Sequence, residues 1–368
     1  MKESAMFLSL PAALFRGGTS KGLFFVRDDL AQLGVPLDVA LTSVMGGADP
    51  RQIDGIGGGS TTTSKVAIVS RSAENDIDVD YLFAQVDPQT GTVDWTPTCG
   101  NVLTGVGPFA IERGLVPTAG DTTQVRVRLV NTGAKVVLDV CTRDGRVQYS
   151  GGHRIAGVAA AAAPVRMTFT DFVGGTSGSL FPTGNRADVV GGIAVSCVDA
   201  GVCAMLVRAD DLGVVGDESP AEINANRILL QHVESMRRAA GELMGMGDVA
   251  GRVVPKVMIV SNSPRADIRS RYLVPTSCHP AHTVSGAINL VTALSSPGTV
   301  AHSLAPGRGM KSTLAVEHPA GIIDLDVVMR DETPVGVALT RTARKIFEGS
   351  VFCEIDDQAR RGRNKLAA

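Results

Sequence analysis

A strand-dominated α+β protein, mainly β with a few helices and built in two domains, is the architecture this sequence predicts. Three observations lead there. The chain has 368 residues, and at roughly 150 residues per domain a single packed core would be oversized. Gly is plentiful, 42 residues, while aromatic residues make up 4% with one Trp. Short β-branched runs recur, Lys65-Val66-Ala67-Ile68-Val69 and Gln124-Val125-Arg126-Val127-Arg128-Leu129-Val130 among them, and read as many short strands joined by tight glycine turns.

The elements follow in order. Val125 to Val130 puts Val125, Val127 and Leu129 on one face and Arg126 and Arg128 on the other, the alternation of a half-buried strand. Asn131-Thr132-Gly133 supplies the turn and Val136 to Val140 the return strand of a hairpin. A helix is expected over Asn101 to Gly114, with Asn101 as N-cap and Gly114 as stop. A second, apolar almost throughout, is expected over Ala281 to Leu294. The longest is expected from about Ala221 to Met246, where Ile228, Leu229, Val233, Met236, Ala240, Leu243 and Met244 recur at helical spacing as a core stripe. The segments beginning at Asn101 and His282 resemble each other, each an apolar helix entered from a loop carrying Cys or His, which suggests an internal duplication. Turn residues cluster from Phe181 to Gly192 just before the strand-like Ile193 to Val198, so the domains are expected as 1–186 and 187–368. The basic stretch Arg360 to Lys365 reads as a solvated tail.

Composition excludes several function classes. With 35 Lys+Arg against 37 Asp+Glu, the chain lacks the positive field that nucleic acid requires. A hydrophobic content of 44% with 20% charged residues is globular rather than disordered. The apolar stretch Ala5 to Leu14 contains Pro11, is followed by Arg16 and falls short of the ~20 residues of a membrane span, so no membrane partner and a cytoplasmic location are expected. The six cysteines (Cys99, Cys141, Cys197, Cys203, Cys278, Cys353) are too sparse for a disulfide scaffold and include no C-x-x-C pair, so reduced thiols are expected.

Three glycine-rich segments carry the chemistry. Arg16-Gly17-Gly18-Thr19-Ser20-Lys21-Gly22 lacks the spacing of a phosphate loop, since Lys21 precedes Gly22. Its small residues nonetheless leave backbone N–H groups free for an anion, with Arg16 and Lys21 adding positive charge, which suits a carboxylate. A plain glycine turn is the alternative. Asp54 to Ser64 combines Gly57-Gly58-Gly59 with Ser60, Thr61, Thr62, Thr63 and Ser64 before a strand; glycines allow close approach and hydroxyls orient a polar ligand. Lys65 stands where that loop becomes strand. Partly desolvated or near another cation, such a lysine acts as a base; otherwise it is a solvated strand end. In Thr98-Cys99-Gly100-Asn101 a thiol just before a helix start faces the positive end of the helix dipole, which favours thiolate and makes Cys99 a candidate acid or base. The bland alternative is a small buried side chain. Cys278-His279-Pro280-Ala281-His282 has no metal-site spacing and no acidic pair nearby, so no metal is expected there and contact with a carboxylate is preferred. No G-x-S-x-G elbow and no G-x-G-x-x-G between strand and helix is found, which sets aside acyl-transfer and hydride-transfer classes.

With these residues laid out, the sequence resembles the PrpF family of cofactor-independent isomerases, most of all those acting on 4-oxalomesaconate. The matching pieces are Arg16 to Gly22, Arg51-Gln-Ile-Asp-Gly-Ile-Gly-Gly58, Thr63-Ser-Lys-Val-Ala-Ile68, Asp78 to Val86, Cys99-Gly-Asn101, Gly105 to Val116, Gly247-Asp-Val249, Arg271-Tyr-Leu-Val-Pro275 with Cys278-His279, Val316 to Gly321 and Arg341-Thr-Ala-Arg344. The resemblance implies a diaminopimelate-epimerase-like fold of two similar domains, each a sheet wrapped round a central helix, with the active site between them. It implies an essential lysine and cysteine, carried over to Lys65 and Cys99, and no cofactor. Thr98 departs from an Asn common in the family, and Asp199 to Cys203 replaces an Asp-Asn-Gly-Met-Pro type segment.

The implied reaction is a 1,3-proton shift on an unsaturated di- or tricarboxylate, first 4-oxalomesaconate, with 2-methylaconitate or aconitate as alternatives. Lys65 is expected as base and Cys99 as acid, with the direction reversible. Gly18, Thr19, Ser20, Ser60, Thr62, Thr63, Ser64, Gly100 and Asn101 are expected to bind substrate, and Arg16, Lys21, Arg271 and His279 to supply charge. A homodimer is compatible with this reading. The rivals are a racemase using Cys99 and Cys278, and a carboxylate-binding protein without catalysis.

Overall fold

The structure is a computed structural model and describes residues 6–31, 33–274, 276–305, 312–330 and 333–355. Pro275 and the basic stretch at 360–365 lie outside the described residues. In the first part of the chain the strands are β1 (Met6–Gly17), β2 (Ser20–Val26), β3 (Lys65–Arg71), β4 (Val79–Val86), β5 (Val93–Asp94), β6 (Thr122–Leu129), β7 (Lys135–Arg143) and β8 (Arg146–Val147). They are interrupted by α1 (Arg27–Leu30), α2 (Leu37–Met45) and α3 (Gly100–Glu112). There follow β9 (Pro164–Phe169), β10 (Asp188–Val190), β11 (Ile193–Asp199), β12 (Cys203–Arg208), α4 (Pro220–Ala225), α5 (Arg227–Leu243), β13 (Lys256–Ser261) and β14 (Ile268–Leu273). The chain closes with α6 (Val284–Leu294), α7 (Val300–Leu304), β15 (Thr313–His318), β16 (Gly321–Arg330) and β17 (Thr333–Ile355). Strands dominate and helices are few, as the sequence predicts.

The chain divides into two compact units. One comprises the residues up to Arg154, Ala160–Met167 and the stretch from Arg341 onward; the other comprises Ile155–Ala159 and Thr168–Thr340. This differs from a simple division at 186. Residues from Thr168 already belong to the second unit, and β17 returns to the first because it pairs antiparallel with β1 from Phe7 opposite Glu354 to Gly17 opposite Ala343. Turn residues mark local punctuation and cannot reveal a strand that comes back from the far end of the chain.

In the first unit β1 pairs with β2, β2 runs parallel to β3, β3 pairs antiparallel with β4, β4 runs parallel to β6, and β6 and β7 form the expected hairpin. Val125 lies opposite Leu138 and Val127 opposite Val136, and Gly133 adopts φ +75°, the left-handed conformation that the turn needs. One sheet face buries Leu23, Phe25, Val66, Ile68, Ala84 and Val86 against Leu41, Val44 and Met45 of α2. The other face encloses α3, in which every residue from Asn101 to Ile111 is buried. A helix that is apolar all round needs such enclosure.

In the second unit β10, β11 and β12 run antiparallel, β12 is parallel to β13, and β14 is parallel to β15, which leads through β16 into β17. The central helix is α6, buried at Val284 and from Gly286 to Leu294. It starts three residues later than the pattern predicts, because Thr283 rather than a residue near Ala281 accepts the Gly286 N–H and caps it. The long helix expected from Ala221 to Met246 is two helices. Ser219 and Glu222 form a capping box on α4, and Asn226 breaks the run by capping α5 through the Leu229 N–H. Leu229, Val233, Met236, Ala240 and Met244 join the core, whereas Ile228 is 82% and Leu243 50% exposed. Ile228 lies in the same helix as the stripe but one residue, about 100°, round from Leu229, which turns it to solvent. Among the described residues no helix is long and apolar enough to cross a membrane.

A buried carboxylate on β15 ties that strand to β14 and to the segment just before it. Glu317 is 5% exposed and receives hydrogen bonds from Ser263 Oγ and the Arg265 guanidinium, with Arg269 Nε 3.2 Å from its carboxylate. Burial pushes its pKa up, but the bonds from Ser263, Arg265 and Arg269 outweigh it and hold the carboxyl down at about 2, against an ordinary 4.5. A depressed acid stabilises the folded state above its unfolded pKa and loses that contribution as the pH falls from about 4.5 toward 2. Glu317→Gln is therefore expected to cost on the order of 2 kcal/mol at pH 7. In urea titrations followed by circular dichroism, the gap to the native protein should narrow steadily below pH 4.5; a gap independent of pH would contradict the assignment.

Candidate active site

The site grows from the start of α3. Its N-cap is Cys99, not Asn101, and the half-buried Cys99 side chain makes no capping bond. Asn101 sits one residue inside the helix, 4% exposed, where its carboxamide reaches the β1–β2 turn: Nδ2 donates to Thr19 Oγ1 at 3.1 Å and Oδ1 accepts from the Thr19 N–H at 3.4 Å. Cys99 has no side-chain capping bond of its own, so the thiol is left at the positive end of the helix.

The turn can approach only because it carries glycine. A Cβ on Gly17 would lie 2.3 Å from the Asn101 carbonyl oxygen, and one on Gly18, at φ +50°, 2.1 Å from Asn101 Oδ1. The Gly18 N–H donates to the Thr342 carbonyl at 3.0 Å. Arg16 Nη1 donates to the Gly18 carbonyl at 3.2 Å, to Thr342 Oγ1 at 2.8 Å and to the Thr342 carbonyl. Burial, with Arg344 nearby, lowers its pKa. Arg16 thus braces the turn against β17. Lys21 links the turn to the hydroxyl-rich loop, its N–H donating to the Thr62 carbonyl at 2.9 Å. Ser20 is buried and Thr19 half-buried.

That loop is organised around Gln52, which is buried and adopts φ +50°. Gln52 Oε1 accepts from the Gly59 N–H at 3.0 Å and from Ser64 Oγ. Ser64 is fully buried and its hydroxyl is committed to Gln52. Ser60 Oγ lies 3.0 Å from Thr62 Oγ1 and 2.9 Å from Thr63 Oγ1. These three hydroxyls form one network, each still holding acceptor capacity.

Lys65 opens β3 on the sheet face that encloses α3. The register places Gly22 beside Lys65 and Gln85 opposite it. Its Nζ donates to Gln85 Oε1 at 2.7 Å and lies 5.1 Å from the Phe83 ring centroid. By alternation Tyr81, Phe83 and Gln85 share that face of β4. The Tyr81 and Phe83 rings are 6.4 Å apart, and the Tyr81 hydroxyl donates to the Cys99 carbonyl at 3.3 Å. Burial, together with the neighbouring Cys99, pushes the Tyr81 phenol well above its usual pKa. Contacts therefore run from Lys65 through Phe83 and Tyr81 to the backbone carbonyl of Cys99.

Arg271 and His279 belong to the second unit. Arg271 is 5% exposed on β14, with Nε donating to the Glu218 carbonyl, and burial lowers its pKa. The His279 N–H donates to the Tyr272 carbonyl, and its Nδ1 accepts from the Ala281 N–H at 3.0 Å. Cys278 between them is buried, and burial pushes its thiol up to about 11, opposed by Arg271. His282 is bonded to Ser270 Oγ at 3.1 Å and to the Thr283 carbonyl at 3.0 Å.

Sequence reasoning missed Gln52, Tyr81, Phe83, Gln85 and Thr342. Alternation along Val79 to Val86 does place Gln85 with Tyr81 and Phe83, so a polar residue closing an inward-facing row was the available signal. That it meets Lys65 required the strand register.

A sheet that encloses one apolar helix in each of two units is the class of fold this chain adopts. A hydroxyproline epimerase structure shares it, with a TM-score of 0.55 at 13% identity over 95% of this chain and 93% of that one. Residues 7–354 match the family model described as PrpF protein, and the chain belongs to the PrpF family. It is 45% identical over 345 residues to a 4-oxalomesaconate tautomerase of Pseudomonas putida, covering 93% of this chain and 95% of the relative. Over 348 residues it is 43% identical to a (4E)-oxalomesaconate Delta-isomerase of Novosphingobium, covering 94% and 97%. A methylitaconate-delta-isomerase structure matches with a TM-score of 0.80 at 32% identity, covering 96% and 97%. The chain is an isomerase.

The close approach at Gly18 can be separated from backbone strain. Gly18→Ala and Gly133→Ala both place a side chain at positive φ, at about 1 kcal/mol, but only the first meets an atom, since nothing lies within 4 Å of a Cβ at Gly133. Thermal unfolding is expected to show Gly18→Ala the more destabilised of the two, with raised KM; equal losses would refute the contact.

Proposed function

We propose that this isomerase moves a proton between the ends of an allylic system in an unsaturated di- or tricarboxylate, with 4-oxalomesaconate as substrate and Lys65 and Cys99 as its proton-transfer pair. The observation that supports the reading is the row Lys65, Phe83 and Tyr81 on one sheet face, which ends on the Cys99 carbonyl at the start of α3. The relatives named for oxalomesaconate support the substrate.

In the forward direction the free amine of Lys65 takes a proton from the carbon beside the alkene. The electron pair moves through the double bond and charge collects on a keto or carboxylate oxygen. The N–H groups of Gly100 and Asn101, at the positive end of α3, face that charge, and donors fixed in place before the reaction cost no reorganisation when it develops. Cys99 Sγ–H then delivers a proton two carbons away. Lys65 is left as ammonium and Cys99 as thiolate, and transfer of one proton from the first to the second restores both. The hydroxyls of Thr19, Ser60, Thr62 and Thr63 and the Lys21 ammonium hold the carboxylates that do not react. The reading rests on first-unit residues alone.

The racemase alternative needs a second thiol that ionises readily. Burial pushes Cys278 to about 11, and α6 is capped by Thr283 rather than by a cysteine. That chemistry disfavours it.

Lys65→Ala and Cys99→Ser are each expected to lower kcat by about 10² to 10⁴ with unfolding midpoints unchanged. NMR in D₂O with 4-oxalomesaconate, methylaconitate and aconitate should show deuterium at the allylic carbon of one of them, fastest for 4-oxalomesaconate. Near-native turnover by both variants would sink the pair, and binding without exchange would make the protein a carboxylate carrier.

A further inference from the structure

The amine of Lys65 is held by a residue that no part of the reaction scheme uses. Gln85 lies directly opposite Lys65 across β3 and β4. Its Nε2 donates to the Ser64 carbonyl at 2.9 Å and to the Val86 carbonyl at 3.3 Å. Only a nitrogen can donate to two carbonyls, so these bonds fix the carboxamide's orientation and leave Oε1 facing Lys65 Nζ at 2.7 Å. Ser64 is itself locked, through its hydroxyl to Gln52 and through its carbonyl, which also accepts the Val86 N–H at 3.1 Å. The acceptor is therefore rigid.

It is also neutral. Among the described residues Lys65 forms no ion pair; its side-chain partners are Gln85 and the Phe83 ring. The titratable groups on this face are Tyr81 on β4 and Cys99 at the start of α3, with Arg71 at the far end of β3, donating to the Gly114 carbonyl, and Tyr149 packed beside Phe15. The neighbouring inward positions of β2 are Ser20, Gly22 and Phe24, and those of β1 are Ala13, Phe15 and Gly17. Along α3 no charged residue occurs before Glu112 at the far end. A carboxylate at position 85 would hold the amine as ammonium, whereas an amide directs it and leaves it able to exchange a proton.

We propose that Gln85 is a positioning residue for Lys65: its clamped carboxamide aims the amine at the substrate carbon without pairing its charge. The inference rests on the proton-transfer role proposed for Lys65. Gln85→Met removes the acceptor, and Gln85→Glu replaces it with a charged one. With 4-oxalomesaconate, Gln85→Met is expected to lower kcat by about 10²-fold with little change in KM, since a misaimed base costs on that scale. The Lys65 limb of its kcat–pH profile should move to lower pH. Gln85→Glu should move the same limb to higher pH by about one unit or more, recovering activity in alkali. A merely structural role would not move the limb in opposite directions. Folded variants with native limbs and kcat within about twofold would overturn the inference while leaving Lys65→Ala inactive and the earlier reading intact; an active Lys65→Ala would overturn both. Independently of any variant, NMR of the ¹⁵N,¹³C-labelled native protein should show a coupling across the hydrogen bond from Lys65 Nζ to the Gln85 carboxamide carbon. A freely rotating Lys65 ammonium without it would count against the clamp.

Discussion

The approach of the β1–β2 turn to the first turn of α3 is the contact on which the rest of the site depends. Two glycines without Cβ atoms let the turn lie against the Asn101 backbone and carboxamide, and Asn101 answers with two hydrogen bonds to Thr19. The same turn is tied to β17 through Arg16 and Thr342 and to the hydroxyl-rich loop through Lys21 and Thr62. Three segments distant in sequence are thereby referenced to one helix end. In a close-packed interior such a contact has little slack, so the positions of the amides and hydroxyls are set together rather than singly.

The enclosure of α3 then decides the electrostatics. Because its whole length from Asn101 to Ile111 is buried, the helix presents no charged side chain near its start, and the field there comes from unpaired backbone N–H groups. Cys99 occupies the cap and makes no capping bond, while at the corresponding place on α6 the hydroxyl of Thr283 closes the end. The two central helices are alike in burial and unlike in chemistry. A capped end is satisfied internally; an end whose cap carries a thiol without a side-chain bond can serve a ligand.

Much of this was legible in the residues themselves. The hairpin over Val125 to Val140, the apolar central helices and the loop-to-strand placement of Lys65 follow from alternation, helical spacing and turn chemistry, all of which act over a few neighbours. The errors have equally local causes. Asn101 looks like a cap because Asn commonly is one, yet its carboxamide found Thr19, more than eighty residues earlier in the chain, and left Cys99 in that place. Ile228 adjoins a helical stripe in sequence, yet in α5 it lies about 100° round from Leu229 and faces solvent.

By itself the sequence determined that Lys65 to Val69 and the Val125 to Val140 hairpin are strands, that the segments after Asn101 and Ala281 are apolar helices, and which residue types could exchange protons, because those properties are written in nearest-neighbour patterns and side-chain chemistry. Tertiary structure alone decided that Lys65 meets Gln85 and Phe83, that Tyr81 reaches Cys99, and that β17 returns to β1. Each of those depends on strand register and on pairings between segments far apart in the chain. A one-residue change of register would turn every one of these side chains to the opposite face without altering any local pattern that the sequence displays.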